Sequence, residues 1–247
     1  MPHRLFAFAF ASLLCVGARA DELVISAAAS LTNALRDLAP LFEAANPGTR
    51  LQFNFGASNA LLQQIAKGAP VDVFVSADQE TMDLAQTQGL VRAAQRRNVV
   101  SNRLVVVVPS GSTRTPRALS DLAQPGVQRI AIGLPAVPVG RYTRGVLETA
   151  GLWAAIEPKV IGAQNVRQAL DYVARAEVDA GFVYATDAAL MPGKVKVALT
   201  VANTTPILYP AAPVAASPNA AEAQRFVAFL VSPAAQAGLA KFGFGRP

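Results

Sequence analysis

The sequence predicts an α/β chain folded as two lobes, each a mostly parallel sheet flanked by helices. Three observations carry this reading. Short apolar segments alternate with amphipathic ones, the pattern of βα units laid on a parallel sheet. The chain is long, with 247 residues, 52% hydrophobic and 15% charged, and α/β chains of such length divide once a single core stops growing. Two segments stand out as crossings between lobes: the very apolar "RLVVVV" (103–108) and the Pro/Ala-rich "LYPAAPV" (208–214). Residues 21–103 and 213–247 are expected to form a discontinuous first lobe, and residues 104–212 the second.

The elements follow in order. "LVIS" (23–26) reads as a strand, and Leu31, Leu35, Leu38 and Phe42 then recur at helical spacing. "LQFNF" (51–55) is a strand before a helix through Leu61, Leu62 and Ile65, stopped near Gly68. "VDVFVS" (71–76) precedes a helix over about 81–88 that Gly89 ends. "RLVVVVP", "RIAIG" (129–133), "KVIG" (159–162) and "AGFVYA" (180–185) are further strands. Helices are expected near 140–150 and 165–176, and a last one runs through Phe226, Val227, Phe229 and Leu230.

Residues 1–20, "MPHRLFAFAFASLLCVGARA", read as a secretory signal cleaved after Ala20: a basic start, an apolar stretch and a small-x-small end. The stretch is shorter than the ~20 residues a membrane span needs. Cys15 lacks the small residue expected just before a lipidated cysteine. Cleavage removes Arg4 and Arg19 from a formal net charge of +6, and with them His3 and Cys15, the only His and the only Cys. A mature chain without either cannot build a Ser-His-Asp triad, a cysteine nucleophile, a disulfide or the usual zinc and copper sites. Its positive charge is dispersed, with no aromatic-studded basic run to suggest nucleic acid.

Four strands run into helix starts through small residues. "SAAASLTNAL" (26–35) places Ser30 there, and "FNFGASNALL" (53–62) places Ser58. "IAIGLPAVPVGRY" leads to Val139 and Gly140, and "VIGAQNVRQAL" to Val166. Ligands of open α/β sheets bind beyond the carboxyl ends of the strands, where helix N-termini offer free N–H donors and partial positive charge. Either serine alone suits a local helix cap. Two in matching contexts point instead to paired hydroxyl donors, with backbone N–H groups supplied at Val139 or Gly140 and at Val166. Tyr184, in "GFVYATD", ends a strand. Arg36, Arg141, Arg144 and Arg167 read as solvated charges that attract an anion from a distance, and Asp78 as a cap or turn residue.

"AAASLTNAL", "FGAS", "GAPVDVFVSADQ", "VPVGRY", "NVRQAL" and "GFVYATD" occur in this order across the mature chain. That series resembles the molybdate-binding periplasmic proteins of ABC transporters, the ModA family. The resemblance implies a type II periplasmic-binding fold closing on a tetrahedral oxyanion, molybdate and also tungstate. It implies that Ser30, Ser58 and Tyr184 donate from hydroxyls and that Val139 and Val166 donate from backbone N–H, with no direct metal ligand and no cofactor. At Val139 the family usually carries Ala. It further implies a monomeric, non-enzymatic periplasmic protein whose partners are a membrane permease and its cytoplasmic ATPase.

The chemistry points the same way. Molybdate is a dianion with no proton to give, so donors without a carboxylate suit it, whereas hydrogen phosphate needs an acceptor. Sulfate, another oxyanion, satisfies the same test and is the alternative ligand. A serine-dependent hydrolase using Ser30 or Ser58 is the alternative of another class. It has no His base, and Asn33 and Leu61 stand where a Ser-x-x-Lys motif needs lysine.

Overall fold

Two five-stranded sheets, flanked by helices, organise the computed structural model, which describes residues 21–202 and 205–247. The expected signal at residues 1–20 lies outside the described residues. The first sheet holds β1 (Asp21–Ala28), β2 (Thr49–Gly56), β3 (Val73–Val75), β4 (Arg97–Asn102) and β10 (Ile207–Pro213), in the order β2-β1-β3-β10-β4. The second holds β5 (Leu104–Pro109), β6 (Ile130–Gly133), β7 (Val160–Ala163), β8 (Ala180–Tyr184) and β9 (Val195–Val201), in the order β7-β6-β8-β5-β9. The helices are α1 (Thr32–Ala45), α2 (Ser58–Ala66), α3 (Gln79–Thr87), α4 (Pro138–Thr149), α5 (Trp153–Ile156), α6 (Val166–Ala174), α7 (Ala185–Ala188), α8 (Ala220–Leu230) and α9 (Pro233–Lys241).

The two sheets share one plan. Three strands pair in parallel, β2-β1-β3 in one and β7-β6-β8 in the other. A fourth strand enters antiparallel, β10 between β3 and β4, and β5 between β8 and β9. Each sheet therefore has one strand running against four. These inserted strands are the two segments singled out as crossings. The valines of β5 are at most 2% exposed, because a central strand covered on both faces needs an unbroken apolar run.

The return crossing lies earlier than expected. β9 closes the second sheet at Val201, and β10 opens in the first at Ile207. Residues 207–212, expected in the second lobe, pair in the first, with Ala211 opposite Val75 and Ala212 opposite Phe74. The prolines had marked this stretch as a linker. Here Pro210 sits at a register shift beside Tyr209, and Pro213 ends the strand, positions where a missing N–H is tolerated. β4, β9 and α9 were not anticipated.

Helix packing follows the apolar stripes. Leu35, Leu38 and Phe42 of α1 are buried, and Phe42 meets Phe226 of α8 edge-on at 5.2 Å. A Cβ on Gly238 would stand 2.6 Å from the Leu38 side-chain tip, so α9 lies close on α1 at this glycine. Gly68 and Gly89, past the ends of α2 and α3, have φ of +86° and +71°, the left-handed turn that stops a helix. No helix among the described residues is long and apolar enough to cross a membrane.

Candidate ligand-binding site

The strand ends of both sheets meet at one place. β1 and β2 lead from the first lobe into α1 and α2, while β6, β7 and β8 lead from the second into α4, α6 and α7. Between them lies a small, narrow cleft lined by Ser30, Ser58, Val139, Val166 and Tyr184, among others. All five residues singled out in the sequence thus line one cavity. Ala28, Ala29, Gly56, Ala57 and Ala77 complete the first-lobe wall, and the first four account for the small residues before each serine.

Neither serine is a helix cap. Ser30 lies within a 3-10 turn, Ala29–Leu31, ahead of α1, and the cap position of α1 is Leu31. Its Oγ is 2.9 Å from Tyr209 Oη. Ser58 is the first residue of α2, after the cap position Ala57, and its Oγ accepts a hydrogen bond from the Ala77 N–H at 2.9 Å. Both side chains are buried, at 3% and 0% exposure.

The second lobe offers backbone donors. The first N–H groups of a helix have no partner within it. Pro138 opens α4 and has no N–H, so Val139 carries the first one available. A Cβ on Gly140 would collide with the Gly133 carbonyl oxygen, so this helix start is pressed onto the end of β6. The Val139 side chain is buried beside Gly133, which fits a residue acting through its backbone. In α6, Asn165 caps the helix by accepting from the Gln168 N–H at 3.1 Å, and Val166 is the first helical residue.

Tyr184 ends β8 at 1% exposure, and its hydroxyl has no hydrogen-bond partner among the described residues. Burial pushes this phenol well above its ordinary pKa, so it stays protonated and keeps a proton it can donate. The cavity lining contains no carboxylate and no cationic side chain. Positive potential at this wall comes from dipoles, roughly half a positive charge at each helix N-terminus, and from hydroxyl protons.

Charged side chains stand just outside and join the lobes. Arg141 of α4 and Arg167 of α6, read as solvated, are half-buried in such contacts. Arg141 Nε donates to Asp78 Oδ2 at 3.1 Å, and its other end reaches Thr81 Oγ1 at 2.7 Å. Asp78 does cap α3, accepting from the Thr81 N–H at 3.1 Å, and takes this ion pair in addition. Arg167 donates to the Ser30 carbonyl at 3.1 Å and Asn33 Oδ1 at 3.0 Å, and pairs with Asp187 at 2.5 Å. Asp187 is fully buried, and desolvation, opposed by Arg167, raises its pKa to about 6. Arg144 and Arg36 match their reading, pairing with exposed Glu148 and lying over the Phe55 ring respectively. Tyr209 and Asn102, behind Ser30, were not anticipated. Their only sequence signal is a lone tyrosine among prolines and a lone asparagine before "RLVVVV".

The family model for bacterial extracellular solute-binding proteins matches residues 23–245. The chain is 37% identical to the molybdate-binding protein ModA of Escherichia coli K12 over 97% of its own length and 96% of the relative's. Among solved structures, it superimposes on the periplasmic molybdate-binding protein of Azotobacter vinelandii with a TM-score of 0.76 at 26% identity, covering 91% of this chain and 99% of that one. The sulfate-binding protein SubI of Mycobacterium tuberculosis shares the fold at a TM-score of 0.80 and 20% identity, covering 90% and 86%.

Proposed function

The chain belongs to the bacterial extracellular solute-binding protein family, and from that premise we propose that it captures molybdate between its lobes and delivers it to an ABC transporter permease. One observation carries the reading. Two serine hydroxyls, a tyrosine hydroxyl and the first N–H groups of α4 and α6 line one cavity whose wall holds no carboxylate. Such a wall is rich in donors and free of carboxylates, which matches an oxyanion that only accepts. Tungstate presents the same charge and shape and is the second cargo. No metal ligand and no cofactor take part, because the protein holds the oxygens of the anion through hydrogen bonds.

In this reading the protein is a carrier and not a catalyst. A hydrolase using Ser30 or Ser58 needs a base beside the nucleophile. The groups within reach are Tyr209, whose phenol burial keeps protonated, and a backbone N–H. Sulfate satisfies the same donor chemistry and is the second reading.

The cargo is handed to a permease driven by a cytoplasmic ATPase. The receptor works as a monomer in the periplasm, released there by removal of residues 1–20 after Ala20. Calorimetric titration with molybdate, tungstate, sulfate and inorganic phosphate tests the ligand. Tight binding of the first two with phosphate excluded is expected, and tighter binding of sulfate would overturn the assignment. Mass spectrometry of the exported protein should give an N-terminus at Asp21.

A further inference from the structure

We infer that Tyr209 is a positioning residue of this site, oriented by Asn102 so that it donates to Ser30 and turns the Ser30 proton into the cavity. The inference rests on the oxyanion reading and extends it to residues that line no part of the cleft.

The polarity of the chain follows from donors that can only donate. The Arg103 backbone N–H donates to Asn102 Oδ1 at 2.8 Å. That contact settles which end of the amide is oxygen, so the NH2 group faces the hydroxyls. Asn102 Nδ2 donates to Thr186 Oγ1 at 2.9 Å and to Tyr209 Oη at 3.2 Å, which uses both its protons. The Tyr209 hydroxyl, having accepted from Asn102, has Ser30 Oγ as its one remaining hydrogen-bond partner among the described residues, at 2.9 Å. Burial pushes the Tyr209 phenol well above its ordinary pKa, so the proton it gives is always present. Ser30 Oγ accepts it, and the Ser30 hydroxyl proton is left for the ligand.

Ser58 reaches the same state by a shorter route, since its Oγ accepts from the Ala77 N–H. Both serines thus have a lone pair engaged by a protein donor whose direction traces back to a backbone N–H. A hydroxyl is by nature ambivalent, as able to accept as to donate. At both positions the surrounding protein removes that ambivalence. Thr186 follows β8 of the second lobe, while Asn102 and Tyr209 belong to the first sheet. Thr186 takes only the second amide proton, so the path from Asn102 through Tyr209 to Ser30 lies within the first lobe.

The test is a double-mutant cycle on the intact protein, read by calorimetric titration with sodium molybdate. Tyr209→Phe keeps the ring packed between Tyr184 and Phe244, whose centroids lie 5.9 and 5.6 Å away. It should weaken binding about three- to tenfold in the wild-type background. In a Ser30→Ala background the same change should cost almost nothing, because the group it orients is gone. Asn102→Ala, which leaves the tyrosine in place, should show the same dependence on Ser30 with a smaller effect. Discrimination of molybdate over inorganic phosphate should also fall in Tyr209→Phe, since a freed Ser30 hydroxyl can accept from a protonated oxyanion. Equal losses in both backgrounds, or unchanged affinity in both single variants, would overturn the relay while leaving the oxyanion reading intact. A wild type that binds sulfate instead corrects the ligand, and the cycle is then read with sulfate. A wild type that binds no oxyanion removes both.

Discussion

Arg141 and Asp78, 63 residues apart, form an ion pair that joins α4 of the second lobe to the cap of α3 in the first. Asp78 is almost wholly buried and Arg141 about one-fifth exposed, so solvent screens the pair only in part. Since the two partners ride on different lobes, the contact would favour the closed form of a receptor that closes on its ligand. A ligand that touches both lobes draws its affinity from the closed form.

Arg141→Ala should therefore weaken molybdate binding without reaching the cavity. The partly screened pair is expected to be worth about 1 kcal/mol, or roughly fivefold in affinity, lost mainly as faster release. Stopped-flow measurement of dissociation, repeated at high salt, checks this. Added salt should shrink the difference between wild type and variant, and identical release rates would detach the pair from closure.

Asp187 gives a pH dependence. Its folded pKa of about 6 lies above the ordinary carboxylate value near 4, chiefly because burial disfavours the charge. A raised pKa means that its contribution to stability is complete below about pH 4. That contribution declines as pH rises through 6 and is constant above. The span amounts to about 2–3 kcal/mol. Asp187→Asn should abolish this part of the profile. Denaturant unfolding of both proteins from pH 4 to 7 should give a wild-type-minus-variant difference that falls to pH 6 and then levels. Parallel profiles would show that Asp187 titrates like an exposed acid.

The sequence carried the local parts of this site and none of its long-range ones. Ser30, Ser58, Val139, Val166 and Tyr184 each sit at a strand end or helix start, and that position is encoded within about ten neighbouring residues. The parallel strands were legible for the same reason, as short apolar runs between helical stripes. Tyr209 was not, because it meets Ser30 across 179 residues and only through the insertion of β10 beside β3. The prolines that hid this strand are accommodated by a register shift, a tertiary solution with no local signature. Arg141 looked solvated because Asp78 lies 63 residues away, and Arg167 because Ser30 lies 137 residues away and Asp187 beyond the intervening strand β8. α9, rich in Ala and Gly, has little apolar pattern of its own and is held by close approach to Leu38.

The two serines should behave differently when truncated. Each Ser→Ala change removes a hydrogen bond to a dianion, with an expected loss of about 1.5–3 kcal/mol, or roughly 10- to 150-fold in affinity. Ser58→Ala also strands the buried Ala77 N–H, and should lower ligand-free stability by about 1–3 kcal/mol. Ser30→Ala leaves a tyrosine hydroxyl that still accepts from Asn102, so its stability cost should be smaller. Calorimetric titration and thermal melting of both variants separate these effects. Full molybdate affinity in either variant would remove that serine from the ligand shell.

Tyr184→Phe offers the sharpest separation of binding from folding. The Tyr184 hydroxyl is buried and meets no hydrogen-bond partner among the described residues. A buried polar group left unpaired costs about 1–3 kcal/mol, so deleting it should leave the ligand-free protein as stable as wild type or more so. The ring, edge-on to Tyr209 at 5.9 Å, keeps its packing in the variant. If the hydroxyl is a ligand donor from the second lobe, the same change should weaken molybdate binding at least tenfold. Opposite signs in the two measurements, higher or equal melting temperature and lower affinity, are what a donor reserved for the ligand requires. Small-angle scattering should show the wild type becoming more compact on adding molybdate, with Tyr184→Phe needing more ligand to reach the same form. A variant that melts lower and binds as tightly as wild type would make Tyr184 a core residue, and the second lobe would then hold the anion through Val139 and Val166 alone.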